Sequence, residues 1–332
     1  MDKVSIVIPI YNEEEKLERL LQSVCRLTYP SFEVILINDG SMDNSKRICE
    51  QYVTLDYRFR LINQNNRGKT AARNKGLEYA QGKWIWFIDA DDEVFSDALD
   101  NFLKSTNETN YDCIIGKYVT RNNDYQPDFI GVIHTKQFLE DEAFHRWTMY
   151  HCVLWNKLFR RDIIETYHIL FNEEASLWAQ DNLFILEYMH YCNKIYCIED
   201  VIYYYDVPEN AHMSKSYETY RIIYNIQCIG YNILMELLYK FQCSMESIAV
   251  SKNYFYVQIA NQFVTLMQEP RECQKLMQEI WKSPEMKKCL SKDDYEYLKC
   301  KELYVARFCY KLHLFRLYKL MIRVKYRKVF SR

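Results

Sequence analysis

The chain has 332 residues, of which 49% are apolar and 27% are charged, and its formal net charge at pH 7 is −2. This balance is typical of a folded globular protein and excludes an intrinsically disordered chain. A chain so close to neutral also lacks the strong positive field that attracts nucleic acid, so no nucleic-acid partner is expected.

The first third of the chain alternates predicted strands with predicted helices. Apolar runs predict four strands, at residues 4–10, 32–37, 60–62 and 84–88. Apolar residues at helical spacing predict three helices between them, at residues 13–26, 43–52 and 69–80. This order predicts an α/β fold with a doubly wound, mostly parallel, Rossmann-like sheet that has helices on both faces.

The pattern becomes less regular after residue 111. Short apolar runs predict strands at residues 113–115, 129–133, 194–198 and 201–205, and a helix is predicted at 180–191. From residue 217 onward the pattern is almost wholly helical. Domain boundaries are therefore predicted after residues 115 and 215.

Several features predict a cytoplasmic protein. The 12 cysteines include no CxxC pair, and disulfide frameworks are typical of small secreted domains. The apolar run at residues 4–10 is followed at once by Asn12 and three glutamates, unlike a signal peptide. No apolar stretch approaches the roughly 20 residues that a membrane helix needs. We therefore expect reduced cysteines and a cytoplasmic location.

Polar and acidic side chains follow three of the predicted strands. Glu13 comes after the first strand, Asp39 after the second, and Asp89, Asp91 and Asp92 after the fourth. The carboxyl ends of parallel strands meet at one edge of a sheet, where ligands bind. Taken singly, Asp39 can be a turn residue and Asp92 a helix cap. Together, the carboxylates predict a site for a divalent cation shared with phosphates.

Two familiar phosphate-binding motifs are excluded. The turn after the first strand has no glycine, so a dinucleotide-binding fingerprint is missing. The run from Arg67 to Thr70 is similar to the end of a P-loop, but Asn63 stands where the first loop glycine is required. Lys69 and Arg73 begin a predicted helix near the acidic edge and can meet phosphate oxygens there. The alternative for Arg73 is an exposed helix charge.

Four segments together resemble glycosyltransferase family 2. They are Val-Ser-Ile-Val-Ile-Pro-Ile-Tyr-Asn at 4–12, Ile-Asn-Asp-Gly-Ser at 37–41, Gly-x-x-x-Ala-Arg-Asn-x-Gly at 68–76, and Phe-Ile-Asp-Ala-Asp-Asp at 87–92. Their order and spacing match the family over about the first 120 residues. The resemblance implies a GT-A-type fold, a nucleotide-diphosphate sugar donor such as a UDP-sugar, Mn²⁺ or Mg²⁺, and inversion at the anomeric carbon. It also implies a glycan or lipid-linked acceptor in surface polysaccharide or glycolipid synthesis.

The resemblance also implies roles for individual residues. Six are placed at the donor nucleotide: Pro9, Tyr11, Glu13, Asp39, Asp89 and Ala90. Within this set Asp39 contacts the uracil or ribose, and Asp89 lies on the ribose side. Asp91, with Asp89 beside it, is placed as the metal ligand. Residues 1–115 then form the nucleotide-sugar-binding half of the GT-A domain, 116–215 its acceptor-binding half, and 216–332 a helical C-terminal region.

Asp181 is the candidate catalytic base. An inverting transfer needs a carboxylate that takes the proton of the acceptor hydroxyl. In the family this is an Asp, commonly in a Glu-Asp pair that opens a helix. Here the matching pair is Gln180 and Asp181 at the start of a predicted helix. The alternative is that Asp181 only caps this helix.

Two further residues are candidates for the site. Trp155, in a Trp-Asn-Lys-Leu-Phe segment similar to one in bacterial polysaccharide members of the family, can stack on an acceptor sugar. A buried core Trp is the alternative. His212 follows the last predicted strand and can reach the diphosphate or the metal, the alternative being an exposed loop histidine.

The C-terminal tail, residues 303–332, contains nine Lys or Arg and no Asp or Glu, interleaved with apolar and aromatic residues. This composition suits an anionic membrane surface and predicts a peripheral location at the inner face of the membrane. The alternatives are a solvated face of a packed helix and a helix that binds a protein partner.

Two other functions share part of this pattern. A catalytically inactive nucleotide-sugar-binding scaffold or regulatory module needs the same donor residues, although the presence of Asp91 and Asp181 favours an enzyme. A nucleotidyltransferase also uses carboxylates and a metal, but it is expected to have a glycine-rich triphosphate loop after its first strand, which this chain lacks.

Overall fold

The chain forms two compact units, one of residues 1–138 and 147–210 and the other of residues 139–146 and 211–332. The computed structural model describes residues 1–104, 110–121, 124–125, 129–140, 153–173, 180–206, 217–268, 271–290, 309–310 and 314–325. The domain ranges inferred from the sequence, with their assigned roles, stay a prediction.

The first unit is built on one mixed sheet. Among the described residues it has ten strands: β1 (Val4–Ile10), β2 (Phe32–Asp39), β3 (Phe59–Gln64), β4 (Trp84–Phe87), β5 (Glu93–Val94), β6 (Cys113–Val119), β7 (Asp124–Tyr125), β8 (Gly131–His134), β9 (Lys157–Arg160) and β10 (Lys194–Tyr204). Their order is β3-β2-β1-β4-β9-β6-β10-β5, with β7 on β6 and β8 on β10. Strands β1 to β4 pair in parallel, and β9 is antiparallel to both β4 and β6. This confirms the predicted α/β fold.

Seven helices lie between residues 17 and 189 of the described chain: α1 (Leu17–Cys25), α2 (Ser45–Leu55), α3 (Lys69–Tyr79), α4 (Ala98–Leu103), α5 (Thr135–Glu140), α6 (Arg161–Thr166) and α7 (Gln180–Met189). Strands β1, β2 and β4 are buried along their whole length, as expected of strands covered on both faces. Gly76 of α3 packs against Val7 of β1 so closely that an added Cβ would lie 2.2 Å from a Val7 methyl carbon. This contact lets α3 lie directly on the sheet.

Two predicted elements differ from the structure. The first helix begins at Leu17 rather than at residue 13, because Glu13 to Lys16 form turns in which the Glu13 N–H donates to the Ser45 hydroxyl at 2.8 Å. The two strands predicted at 194–198 and 201–205 are one strand, β10. It shifts register against β6 between Cys197 and Val201, and this bulge carries the strand through Glu199 and Asp200, which lie between the two predicted strands.

The described part of the second unit after residue 217 is helical apart from short connections. Its helices are α8 (Tyr217–Lys240), α9 (Met245–Gln268), α10 (Arg271–Trp281), α11 (Pro284–Cys289) and α12 (Phe315–Lys325). Aromatic residues dominate its core. Tyr318 of α12 stacks on Trp281 with ring centroids 4.3 Å apart, and its hydroxyl lies 2.8 Å from that of Tyr256. Part of the basic tail is thus packed into the core of this unit.

Candidate active site

The carboxyl ends of β1, β2 and β4 bring the predicted acidic residues to one edge of the sheet. Ile10 at the end of β1 pairs with Asn38 of β2, and Val7 pairs with Phe87 at the end of β4. The residues that follow these strands, including Glu13 and Asp89, therefore leave the sheet at the same edge. The parallel pairing of the strands accounts for the predicted convergence.

Asp39 organises the loop between β3 and α3. It is 2% exposed, and its carboxylate accepts hydrogen bonds from Gln64 Nε2, the Arg67 N–H and the Gly68 N–H, each at 2.8 Å. Gly68 has φ +89°, a conformation that favours glycine at this turn into α3. Since a carboxylate has about four acceptor positions, Asp39 retains capacity for one further donor, such as the N–H of a uracil.

We call Lys69, Arg73, Asp89 and Asp181 the paired cluster. Arg73 is 1% exposed; its Nη1 lies 2.5 Å from Asp181 Oδ1 and its Nη2 lies 2.9 Å from Asp89 Oδ1. Lys69 Nζ lies 2.8 Å from the same Asp89 oxygen. Burial acts to raise the pKa of Asp89, but the two cations outweigh it and lower this pKa to about 2. The cluster thus combines two cations with two carboxylates.

We call Glu13, Asp91 and Asp92 the crowded cluster. Burial raises the pKa of Glu13 to about 7, and the negative charge of Asp91 adds to this effect. Burial and the charge of Asp89 likewise raise the pKa of Asp91. The pKa of Asp92 rises to about 8 through burial and the charges of Asp89 and Asp91. These shifts show that the negative charges of this cluster are only partly compensated.

Asp92 is fully buried and joins β10 to the site. The Tyr203 hydroxyl donates to Asp92 Oδ2 at 2.6 Å, and the Asp206 N–H donates to Asp92 Oδ1 at 2.8 Å. The Tyr203 oxygen also accepts the Asp89 N–H at 3.2 Å. Tyr203 therefore fixes the backbone of the acidic segment, a role that the sequence analysis missed because a tyrosine within an apolar strand resembles any core residue.

Asp206 is a second residue that the sequence analysis missed. Its carboxylate pairs with Arg19 Nη2 at 2.9 Å and with Lys16 Nζ at 3.2 Å, and the hydrogen bond from Arg19 is the largest cause of its lowered pKa. The same Arg19 nitrogen donates to the Asp91 carbonyl oxygen at 2.9 Å. The position of Asp206 directly after the last predicted strand was the signal that could have identified it.

The donor chemistry of this edge fits Mn²⁺ or Mg²⁺. In the described part of the chain, no three His, Cys, Asp or Glu side chains form a group that could hold a metal by themselves. Mg²⁺ commonly binds one or two carboxylates and completes its shell with substrate phosphates and water. Asp91 suits this role better than Asp89, because burial and the charge of Asp89 raise the pKa of Asp91, whereas Asp89 is already paired with two cations.

Comparison with known proteins identifies the family. The sequence model of "Glycosyl transferase family 2" matches residues 5–167. Poly(ribitol-phosphate) beta-N-acetylglucosaminyltransferase TarP of Staphylococcus aureus is 30% identical over 231 residues, which are 66% of this chain and 68% of TarP. The chain belongs to glycosyltransferase family 2. The uncharacterized glycosyltransferase EpsJ of Bacillus subtilis is 29% identical over 240 residues, 67% of this chain and 70% of EpsJ.

A solved structure agrees on the fold of this family 2 protein. S. aureus TarS 1–349 in complex with UDP aligns with a TM-score of 0.72 at 20% identity, over 98% of this chain and 91% of the TarS chain. The α/β core is thus of the GT-A type, as predicted. The family match ends at residue 167, so it covers the strand ends and Arg73 but not Asp181.

The structure places the other predicted donor residues at the same edge. Pro9 lies buried in β1, Ala90 is 5% exposed between the two clusters, and Tyr11 is 46% exposed. The Lys69 side chain is 47% exposed and remains suited to a phosphate contact. The donor role of each of these residues stays a prediction, as do the roles of Asp39 and Asp89.

Arg73 requires a correction. The sequence suggested a contact with phosphate or an exposed helix charge. In the structure Arg73 is buried, and both of its Nη atoms are used by Asp89 and Asp181. The exposed-charge alternative is therefore wrong, because Asp181, 108 positions away in the sequence, pairs with Arg73 on α3. The phosphate contact stays a prediction.

The two predicted acceptor residues have different outcomes. Trp155 is 2% exposed, and its ring stacks on Tyr203 and Tyr205 with centroids 4.5 and 5.2 Å away. A ring buried in this way presents no face to a sugar, so the structure supports the core interpretation of Trp155 over the acceptor contact. His212 lies outside the described residues.

Proposed function

We propose that this family 2 protein is an inverting, metal-dependent glycosyltransferase that moves a sugar from a UDP-sugar to an acceptor hydroxyl. One observation carries the proposal: a carboxylate from the second half of the domain, Asp181, lies beside the strand-end carboxylate Asp89, with Arg73 between them. This proximity supports the proposal that Asp181 serves as the base for an acceptor bound next to the predicted donor site.

In this proposal Asp181 accepts the proton of the acceptor hydroxyl. Its side chain is 27% exposed, so it is accessible from the surface of the unit. As the proton moves to Asp181, the acceptor oxygen forms a bond to the anomeric carbon. The bond from that carbon to the diphosphate breaks on the opposite face, and its electron pair leaves with UDP. Attack opposite the leaving group inverts the anomeric configuration.

The departing diphosphate carries the charge that must be stabilised. Asp91, with Asp89 beside it, would hold the Mn²⁺ or Mg²⁺, which neutralises this charge when bound. Lys69 is the exposed cation at this edge and would contact a phosphate oxygen. Support for UDP comes from Asp39, which retains one acceptor position, and from the UDP complex of TarS.

The acceptor class is inferred from the relatives. TarP and TarS are both named as poly(ribitol-phosphate) beta-N-acetylglucosaminyltransferases. We propose that this protein also works in the assembly of a surface polysaccharide or glycolipid, with a glycan or lipid-linked acceptor in the cytoplasm.

The test is a panel of nucleotide sugars incubated with the protein, Mn²⁺ and candidate acceptors. Release of UDP from one UDP-sugar, with a product of inverted anomeric configuration by NMR, is the expected outcome. A protein that binds UDP-sugars but releases no UDP with any donor or acceptor would instead be an inactive scaffold.

The proposal extends to the membrane surface through α12. Leu314, Leu317 and Leu320, spaced three residues apart, are 37%, 49% and 57% exposed, while Tyr318 on the same helix is fully buried. The nine basic residues of the tail complement anionic lipids. No helix in the described residues is long and apolar enough to span a membrane.

Sedimentation with anionic vesicles tests this extension. We expect binding that weakens with salt and falls in Leu317→Ser/Leu320→Ser. Leu55→Ser, at a residue that is 80% exposed on α2, is the matched control and should bind like the wild type. Wild-type protein that ignores anionic vesicles at low salt would show that the tail only packs within its unit.

A further inference from the structure

Arg73 and Asn74, adjacent on α3, hold two separate parts of the segment that leads to Asp181. Arg73 contacts the Asp181 carboxylate directly. Asn74 clamps the backbone of Phe171: its Nδ2 donates to the Phe171 carbonyl at 2.9 Å, and its Oδ1 accepts the Phe171 N–H at 2.8 Å. One turn of α3 is therefore bonded both to the candidate base and to the chain that precedes it.

The aromatic contacts continue this support into α7. The Phe171 ring stacks on Phe184 with centroids 4.2 Å apart and planes 9° apart, and Phe184 lies one turn after Asp181 on the same helix. The Arg73 guanidinium carbon lies 5.3 Å from the centre of the Phe171 ring. Phe171 thus touches both α3 and the helix that carries Asp181.

The geometry of the guanidinium selects one oxygen of Asp181. Arg73 Nη1 contacts Asp181 Oδ1 at 2.5 Å, and Arg73 Nη2 contacts Asp89 Oδ1. A planar guanidinium fixes two carboxylates in a way that a single ammonium group does not. With Oδ1 held, Oδ2 is the oxygen left to accept a proton from the acceptor.

We propose that Arg73 is a positioning residue: it bridges Asp89 and Asp181 and thereby fixes the catalytic base relative to the donor site. This inference rests on the proposed function, because it assumes that Asp181 is the base. Its effect on transfer is exerted through Asp181, because its two Nη atoms contact Asp181 and Asp89.

Lys69 provides a matched contrast. Lys69 and Arg73 contact the same oxygen of Asp89, but of the two only Arg73 is bonded to Asp181. Loss of Lys69 should therefore act mainly on donor binding and raise KM. Loss of Arg73 should act mainly on kcat. Lys75→Met, which removes an exposed Lys75–Glu78 pair on the same helix, should leave both constants unchanged.

The test measures kcat and KM for Arg73→Met, Arg73→Lys and Lys69→Met, alone and combined with Asp181→Asn. We expect Arg73→Met to lower kcat by about 100-fold, the lower range for a general base, while the UDP dissociation constant changes less than about threefold. Arg73→Lys should recover thermal stability but little of kcat, because Lys cannot bridge both carboxylates. In the Asp181→Asn background, Arg73→Met should cost less than about threefold more, since two residues acting as one unit are non-additive.

Circular dichroism and UDP affinity verify that each variant is folded. If Arg73→Met does not fold, the kcat of Arg73→Lys tests the positioning role instead. Full kcat in Arg73→Lys, or equal losses from Arg73→Met with and without Asp181, would overturn the positioning role. If Asp181→Asn itself keeps the wild-type kcat, the base assignment fails instead, so the two failures are distinguishable.

Discussion

The paired and crowded clusters lie at the same edge of the same sheet, yet their electrostatics are opposite. In the paired cluster, Lys69 and Arg73 lower the pKa of Asp89 to about 2. In the crowded cluster, burial and neighbouring carboxylates raise the pKa of Glu13 to about 7 and that of Asp92 to about 8. Asp89 belongs to the first cluster and adds its charge to the second.

The difference indicates that the two clusters suit different roles. A cluster whose charges are already matched keeps its geometry without a ligand and suits a positioned base. A cluster with excess negative charge gains most from a bound cation. Substitutions in the two clusters should therefore have different effects.

Removing the charge at the centre of the crowded cluster should abolish transfer. Asp91→Asn keeps the size of the side chain but weakens its affinity for a divalent cation, so activity should fall below detection while the fold survives. The measurement is transfer rate against Mn²⁺ concentration, with circular dichroism as a check of folding. Asp97→Asn, at an exposed aspartate near the same segment, should behave like the wild type. Full wild-type activity in excess chelator would rule out the metal requirement.

Removing the carboxylate of the proposed base in the paired cluster should lower the rate of the chemical step without weakening UDP binding. Asp181→Asn is expected to lower kcat by about 10² to 10⁴, the usual contribution of a general base. The UDP dissociation constant, measured by calorimetry, should stay nearly unchanged, because the predicted donor residues lie at the strand ends. Wild-type turnover in this variant would place the base elsewhere, and Glu173, which is bonded to Arg67 and Asn74, would be the next to test.

The crowded cluster should also make stability depend on pH when no metal is bound. Below about pH 3, Asp92 is mostly protonated in both the folded and the unfolded chain. As the pH rises, the unfolded chain loses this proton near the ordinary pKa of 3.8, while the folded chain keeps it until about 8. The free energy of unfolding should therefore fall between about pH 5 and pH 8, because the folded state binds more protons there.

Glu13, with a pKa raised to about 7, acts in the same direction, whereas Asp89, with a pKa of about 2, is already ionised across this window. Urea unfolding in chelator should show a loss of at least ~1.4 kcal/mol, the value of one pKa unit. Asp92→Asn should flatten the slope. Stability that rises with pH across this window would contradict the assignment.

The smallest effect is expected at Asp39, which belongs to neither cluster. Calorimetry should show UDP binding tighter than ADP or GDP, and Asp39→Ala should weaken UDP binding by about tenfold, or ~1.4 kcal/mol. Part of this loss comes from the loop that Asp39 holds through the Arg67 and Gly68 N–H groups. Gln64→Ala, which removes one hydrogen bond to Asp39 and leaves the carboxylate, is the control and should have a weaker effect. Equal affinity for the three nucleotides would remove the role in base recognition.

The sequence predicted strands β1 to β4 and the residues that follow them well, because both depend on local patterns. Apolar runs such as residues 4–10 are buried strands, and the residues directly after parallel strands must emerge at one edge. Prediction was weaker where a side chain is buried by residues that are far away in the sequence. The sequence left open whether Trp155 stacks on a sugar or lies in the core, and Tyr203 and Tyr205 from the end of the domain cover it.

The sequence by itself determined that acidic groups would gather at the carboxyl ends of β1, β2 and β4, since strands that alternate with helices pair in parallel and end at one edge of the sheet. Only the tertiary structure decided which of these carboxylates pairs with a cationic side chain. Arg73 meets Asp181 across 108 positions, and Tyr203 meets Asp92 across 111. Burial and charge pairing set the electrostatics of each carboxylate, and both are properties of the packed chain rather than of its local sequence.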